Sequence, residues 1–237
     1  MKKIIGIVPA SIMAKPEESS MKDHYKLGNN YIKRTVAAGG VPIGLAPAND
    51  WLTEESMDLC DGFLVQGGAE FYPYHFQVMH HAITHGKRYL GICLGEQLIY
   101  VYLKLRSILE ERGYEGDLIK AMCDYVAEQA PDFTLQRRID GHRYEIPPRG
   151  KEFEAKHRIR IVPGTLMHRV LGKDSLTISS FHGLCTPPEQ DLVTINAWSE
   201  LGDGVVEGTE YGENILGIQG HPEVDDMIPE LFDFLCK

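Results

Sequence analysis

The chain has 237 residues, 43% of them hydrophobic and 24% charged, with a formal net charge of −10. That length supports one sizeable core or two small ones, and the composition is that of an ordinary soluble globular protein. The carboxylate excess argues against non-specific nucleic-acid binding, which needs a basic surface to release phosphate counterions; no run of 18 apolar residues offers a transmembrane helix.

The start, MKKIIGIVPASIMAKPEE, begins like a signal peptide, with two lysines ahead of an apolar stretch. Pro9, Lys15, Pro16, Glu17 and Glu18 cut it short, so Ile4 to Val8 reads as the buried first strand of a cytoplasmic protein. Tyr25 to Ala38 reads as a helix stopped by Gly39-Gly40, and VPIGLAP follows as a second strand. Thr53 can cap the helix TEESMDLC, with Glu54 and Glu55 in its first turn where they favour the dipole. GFLVQGG is a third strand ending in paired glycines, Tyr74 to His85 a helix, RYLGIC a fourth strand, and Glu96 to Glu111 a long helix. This alternation predicts a parallel sheet covered by helices on both faces.

The second half is patterned differently. Gly113 to Gly150 is polar, with a helix over Asp117 to Gln129 and the stretch IPPRG at its end; residues 104–150 read as an insertion or lid. The short runs HRIRIV, DSLTISSF, DLVTINAWS, GVVEGTE and NILGIQG then add strands, several of them antiparallel, before a closing helix from Asp226 to Cys236. The expected class is α/β, a mostly parallel central sheet with antiparallel strands added in the second half. No repeat, low-complexity tract or linker divides the chain, and 1–237 reads as a single domain.

The stretch GICLG sets Cys93 between Gly91 and Gly95, where a strand turns into a helix. A turn residue there projects beyond the carboxyl end of its strand, where open parallel sheets bind ligands. The flanking glycines remove Cβ atoms that would collide, the logic of the nucleophile elbow with sulfur in place of oxygen. The following helix N-terminus favours thiolate over thiol. The five cysteines are odd in number and far apart, with no CxxC, so reduced thiols are expected, most of them quiet apolar side chains.

Ten histidines compete to serve as the base. His80, His81 and His85 share a helix, but without HExxH or a nearby acidic ligand they read as a solvated face rather than a metal site. His24, His75, His142, His157 and His168 have no distinctive setting. His221 lies in GIQGHPEV, straight after an apolar strand. Pro222 biases His221 towards an extended conformation, and i and i+2 of an extended chain project to one side, so Glu223 can orient the imidazole. Cys93, His221 and Glu223 thus form a candidate Cys–His–acid set. Acyl transfer also needs oxyanion donors; Gly67 and Gly68 at a strand end, with the N–H of Leu94, are the candidates.

These pieces, in this order, resemble the class I glutamine amidotransferase superfamily, and within it the γ-glutamyl hydrolase branch that includes γ-glutamyl-γ-aminobutyrate hydrolases. Beyond GICLGEQ and GHPE the likeness includes AGGVPIGLAP (38–47), DGFLVQGGAEFYP (61–73), VPGTLMHRVLG (162–172), SSFHG (179–183) and DGVVEG (203–208), nearly the whole chain. The resemblance implies a flavodoxin-like sheet and attack by Cys93 on the δ-carbonyl of a γ-glutamyl group. A thioester forms, His221 carries protons, and water releases glutamate. Gln97, Ser180, Phe181 and His182 would line the glutamyl pocket. The chain differs from that branch at Leu94 (often Arg), Glu96 (His or Met), Gly220 (a bulky aromatic) and Leu184 (Gln), four positions expected at the substrate pocket. LIYVYLKLRSIL also lacks the Gly-Gly-Thr that usually follows the elbow helix.

The resulting expectation is a stand-alone hydrolase of a small γ-glutamyl compound, with no metal or organic cofactor and therefore no response to chelators. A glutaminase component passing ammonia to a separate synthetase is the second reading, favoured by Leu94 within GICLGEQ. A catalytically weak binding or regulatory module is the third, and an intact Cys93, His221 and Glu223 speaks against it. No nucleic-acid or membrane partner is expected; a homodimer stays open.

Overall fold

The structure, a computed structural model, describes residues 1–10, 25–129, 135–142, 156–188, 191–224 and 228–237. The first half alternates as its pattern foretells: β1 (Ile4–Val8), α1 (Asn29–Ala37), β2 (Val41–Gly44), α2 (Glu54–Asp58), β3 (Gly62–Val65), α3 (Pro73–Thr84), β4 (Arg88–Ile92) and α4 (Leu94–Glu111). Then come α5 (Leu118–Gln129), β5 (Arg137–Arg138), β6 (Lys156–Ile161), α6 (Leu166–Leu171), β7 (Ser175–Ser179), β8 (Leu184–Cys185), β9 (Thr194–Ser199), β10 (Val206–Tyr211), β11 (Ile215–Ile218) and α7 (Pro229–Cys236).

Nine strands form one sheet in the order β2-β1-β3-β4-β11-β10-β9-β6-β7. The run from β2 to β11 is parallel, and β10, β9, β6 and β7 extend it by antiparallel pairing. Burial follows a strand's place in the sheet more than its direction, since parallel β2 at the edge has no buried residue while antiparallel β10 is buried over Val206–Glu210. GFLV of β3 is buried throughout, as a strand covered on both faces must be, whereas KHRIRI of β6 alternates exposed and buried residues, as one with a single covered face does. Alternate side chains of one strand serve two cores: Phe63 and Val65 join α3, α4 and α5 on one face, while Leu64 joins Leu231 and Phe232 of α7 on the other. The expected α/β class, with its largely parallel sheet and antiparallel additions, is what the structure has.

Several local expectations need correcting. The first helix starts at Asn29, not Tyr25, because Gly28 is extended at its N-cap and donates its N–H to Gln66 Oε1 at 2.6 Å. The helix α6 and the small β5–β8 pair were not foreseen; Thr165 accepts the His168 N–H and Gly172, at φ 61°, ends α6. The His80–His85 face is not solvated. His81 is buried edge-on against Phe63, and His80 Nδ1 lies 2.7 Å from Tyr102 Oη; only His85 is exposed.

Within the stretch read as an insertion or lid, α5 packs on α3 and α4 and adds Ile119 and Met122 to the first core. Residues 130–134 and 143–150 of that stretch, His24, and Asp226 at the start of the closing helix lie outside the described residues. No helix among the described residues is long and apolar enough to cross a membrane.

Candidate active site

Cys93 follows β4 and caps α4 with φ 56° and ψ −106°, a conformation that non-glycine residues avoid unless their surroundings impose it. The glycines explain how the surroundings do so. A Cβ on Gly91 would run into the Gly95 carbonyl oxygen, and one on Gly95 would lie 2.5 Å from Val65 O of the neighbouring strand. Only glycine at both positions lets the strand turn this tightly into the helix.

The register of β11 against β4 sets Ile218 opposite Ile92, and the Cys93 N–H donates to Ile218 O at 3.0 Å. His221, just past that strand end, donates its N–H to Ser179 O at 2.8 Å. Its Nδ1 lies 2.7 Å from Glu223 Oε1. A carboxylate only accepts, so Nδ1 carries the proton and Nε2 is left for the Cys93 thiol with which the ring interacts. Burial alone would lower the imidazole's pKa; the Glu223 carboxylate and the thiol outweigh it and hold His221 well above its usual value.

Gly67 closes the group. A Cβ there would lie 3.1 Å from His221 Cε1, 3.3 Å from Cys93 Cβ and 3.5 Å from Tyr31 Oη. The Gly67 N–H, one expected oxyanion donor, points at Tyr31 Oη 3.3 Å away. The Leu94 N–H belongs to the first turn of α4, whose amides have no carbonyl within the helix. Burial first, then the charge of Glu223, holds the Tyr31 phenol well above its ordinary pKa.

Cys93, His221, Glu223, Gly67, Gly68, Leu94, Gln97, Phe181 and His182 line one cleft of about 720 Å³. Ser180 does not. It is buried, and its hydroxyl donates to His142 O at 3.0 Å. The Gln97 amide is engaged by protein: it donates to Leu184 O at 2.9 Å and Gln219 Oε1 at 2.8 Å, and accepts from Gln136.

Of the four differing positions, Leu94 and Leu184 reach the cleft, but Glu96 and Gly220 are not among the residues that line it. Gly220 is pressed on Ile178. Glu96 is fully buried, accepts from Thr209 Oγ1 at 2.8 Å and from Thr186 Oγ1 at 3.1 Å, and burial pushes its carboxyl up to about 8.

Sequence reasoning missed Tyr31, Lys26 and Arg138, which also line the cleft. No local pattern marks them, since helix packing and loop return bring them there. Gln66 had a signal, being next to the paired glycines. Its Nε2 donates to Val8 O and its Oε1 accepts from Gly28, tying together β1, β3 and the start of α1.

A family model described as Peptidase C26 matches residues 3–89 and 74–223. The glutamine amidotransferase-like protein RP404 of Rickettsia prowazekii (strain Madrid E) is 26% identical over 273 residues, covering 94% of this chain and 91% of that one. Among solved structures, the Trypanosoma brucei CTPS glutaminase domain with bound acivicin is similar with a TM-score of 0.65 at 15% identity, over 98% of this chain and 92% of that one. A glutamine amidotransferase from Thermotoga maritima has a TM-score of 0.57 at 16% identity, over 93% and 76%. Likenesses at such identity bear on the fold.

Proposed function

The chain belongs to the Peptidase C26 family, a glutamine amidotransferase-like group, and on that premise we propose that it hydrolyses the γ-glutamyl amide bond of a small γ-glutamyl compound through a thioester. The observation that carries the reading is Cys93 at positive φ on the elbow, with the His221–Glu223 pair at the end of the adjacent parallel strand.

His221 Nε2 takes the thiol proton as Cys93 Sγ bonds to the amide carbon, and the carbonyl oxygen becomes an oxyanion. Leu94 N–H is placed to receive it, and Gly67 N–H can do so by turning from Tyr31 Oη. The C–N bond breaks as His221 returns the proton to the leaving amine. Water then loses a proton to His221 and attacks the thioester, freeing glutamate and the Cys93 thiol. Glu223 holds the ring and stabilises its charged form. Lys26 and Arg138 at the cleft offer positive charge for the α-carboxylate of a glutamyl group. These residues need no metal for the steps described.

Glutamate release by the purified chain from glutamine and from a panel of γ-glutamyl amines, with Cys93→Ala as blank, tests this. Turnover of a γ-glutamyl amine well above glutamine supports the hydrolase; silence on every substrate overturns it as a stand-alone activity. The second reading, a glutaminase that needs a synthetase partner, is favoured by Leu94 in the cleft, and predicts glutamine as the preferred substrate once that partner is added.

A further inference from the structure

We propose that His142, His182 and Glu207 form a binding site for a divalent transition-metal ion, zinc by its ligand chemistry, behind the wall of the cleft. The three residues come from separate parts of the fold: the segment after β5, the turn between β7 and β8, and β10. Their exposures are 1%, 4% and 0%. One ligand atom from each lies within 4.8 Å of the other two.

Hydrogen-bond chemistry then decides what these atoms can be. His182 Nδ1 lies 3.1 Å from Leu184 O, a carbonyl that can only accept, so Nδ1 carries a proton. With that proton on Nδ1, a neutral ring would present a bare Nε2, which faces Glu207 Oε1 at 3.7 Å. His142 Nε2 lies 2.7 Å from Asp203 Oδ2, another group that only accepts, so Nε2 carries the proton there. In the neutral ring Nδ1 is then bare, 3.1 Å from the same Glu207 oxygen. Two imidazole nitrogens thus converge on one carboxylate in a buried site. Acceptors facing one another out of water need positive charge between them, supplied by a proton or by a metal ion.

The surroundings have the form of a metal site's outer shell. Ligating histidines give their second nitrogen to a carboxylate or carbonyl, as His142 does to Asp203 and His182 to Leu184. Ligating carboxylates are themselves hydrogen-bonded, and His157 Nε2 lies 2.8 Å from Glu207 Oε1. Glu207 Oε2 has no hydrogen-bond partner among the described residues and can complete the set as the second oxygen of a bidentate ligand. Metal–ligand bonds of about 2.0–2.2 Å put neighbouring ligand atoms of a tetrahedral site roughly 3.3–3.6 Å apart, between the two distances above. Two imidazoles and a carboxylate suit zinc better than the oxygen-seeking magnesium or calcium.

The site departs from the expectation that no metal is involved, because His142 and Glu207 share no ligand spacing in the sequence. Its consequence is structural. His182 lines the cleft, and its N–H donates to His142 O at 3.0 Å, so a metal on both side chains fastens this wall to β10. The inference stands apart from the hydrolase reading, since its measurements are metal content and melting temperature.

The test uses the full chain in a Cys93→Ala background, so that the cleft thiol supplies no ligand. Protein stripped with EDTA is dialysed against Zn²⁺, its metal counted by plasma mass spectrometry, and its melting followed. One zinc per chain is expected, with Tm raised by about 5–10 °C when zinc is at 100-fold its dissociation constant. His142→Gln should lose both effects. Asp203→Asn, which removes only the outer carboxylate, should weaken zinc binding roughly 10–100-fold and stands in if His142→Gln fails to fold. His85→Gln, in the group of Asp58, His81 and His85, should change neither. A chain that keeps under a tenth of an equivalent and melts identically with and without zinc overturns the proposal, and protons then balance Glu207. Zinc that survives both His142→Gln and Asp203→Asn, or that leaves with His85→Gln, overturns it too.

Discussion

Cys93 donates its backbone N–H to the carbonyl of Ile218 at 3.0 Å, so the elbow and the strand that leads to His221 are joined by a continuation of the sheet ladder. The candidate nucleophile and base are thus held by backbone pairing of β4 with β11, and side chains make only the last adjustment. Removing the thiol should leave this frame intact. Cys93→Ala is expected to lower glutamate release by about 10⁴-fold or more while its Tm stays close to that of the parent. A variant that keeps even a tenth of the activity would show that another group makes the covalent bond.

Glu223→Gln should separate the orienting acid from the base. The carboxylate raises the folded pKa of His221 above its unfolded value, so its stabilising effect is fully present below about pH 6.5 and is lost as pH rises through the folded pKa. The stability gap between parent and Glu223→Gln should therefore be widest near pH 6 and close at alkaline pH. Denaturant melts across pH read this directly. Activity should fall by about 10²–10⁴-fold.

Glu96 gives the opposite experiment. Its carboxyl, raised to about 8 by burial, binds a proton in the folded state that the unfolded chain has released. Stability should therefore fall as pH rises from about 4.5 to 8, by on the order of 1.4 kcal/mol per unit within that window. Glu96→Gln, which keeps an acceptor for Thr209 and Thr186, should flatten the slope and be the more stable form at pH 8. A slope unchanged in the variant would assign it to another group.

Two glycines should fail in different ways. Gly95→Ala forces a Cβ to 2.5 Å from a backbone oxygen of β3, which neither side can yield; a loss of about 1–3 kcal/mol or more is expected in denaturant melts. Gly67→Ala meets only side chains, at 3.1 and 3.3 Å, but these are His221 and Cys93. Its stability should change little, while kcat/KM falls roughly 10²-fold because the two are pushed apart.

Tyr31→Phe removes the hydroxyl that accepts the Gly67 N–H. If Tyr31 positions Gly67 and Glu223, kcat should fall by about 10-fold with little change in KM. An unchanged kcat would make Tyr31 a packing residue only.

Much of the site was legible because it is local. An elbow needs glycines two residues on either side of its nucleophile, and the collisions at Gly91 and Gly95 are of the kind that spacing foretells. The His221–Glu223 pair follows from the two-residue repeat of extended chain, and the alternation of strands with helices marked the parallel half of the sheet. Burial of polar groups was not legible in this way. His81 was expected on a solvated face and Glu96 at the substrate pocket, yet Phe63 covers the first, and the second accepts from Thr186 and Thr209 inside the fold. Local pattern records which face a residue takes; it does not record what lies opposite.

By itself, then, the sequence determined the α/β alternation, the strained turn at Cys93 and the acid beside His221, since each depends on residues a few positions apart. Only the tertiary structure decided that β11 enters the sheet next to β4, that Tyr31 of α1 reaches Gly67, and that His142 and His182 meet over Glu207. Those contacts join segments far apart in the chain, and they follow from strand order and the packing of whole elements, which no short-range spacing encodes.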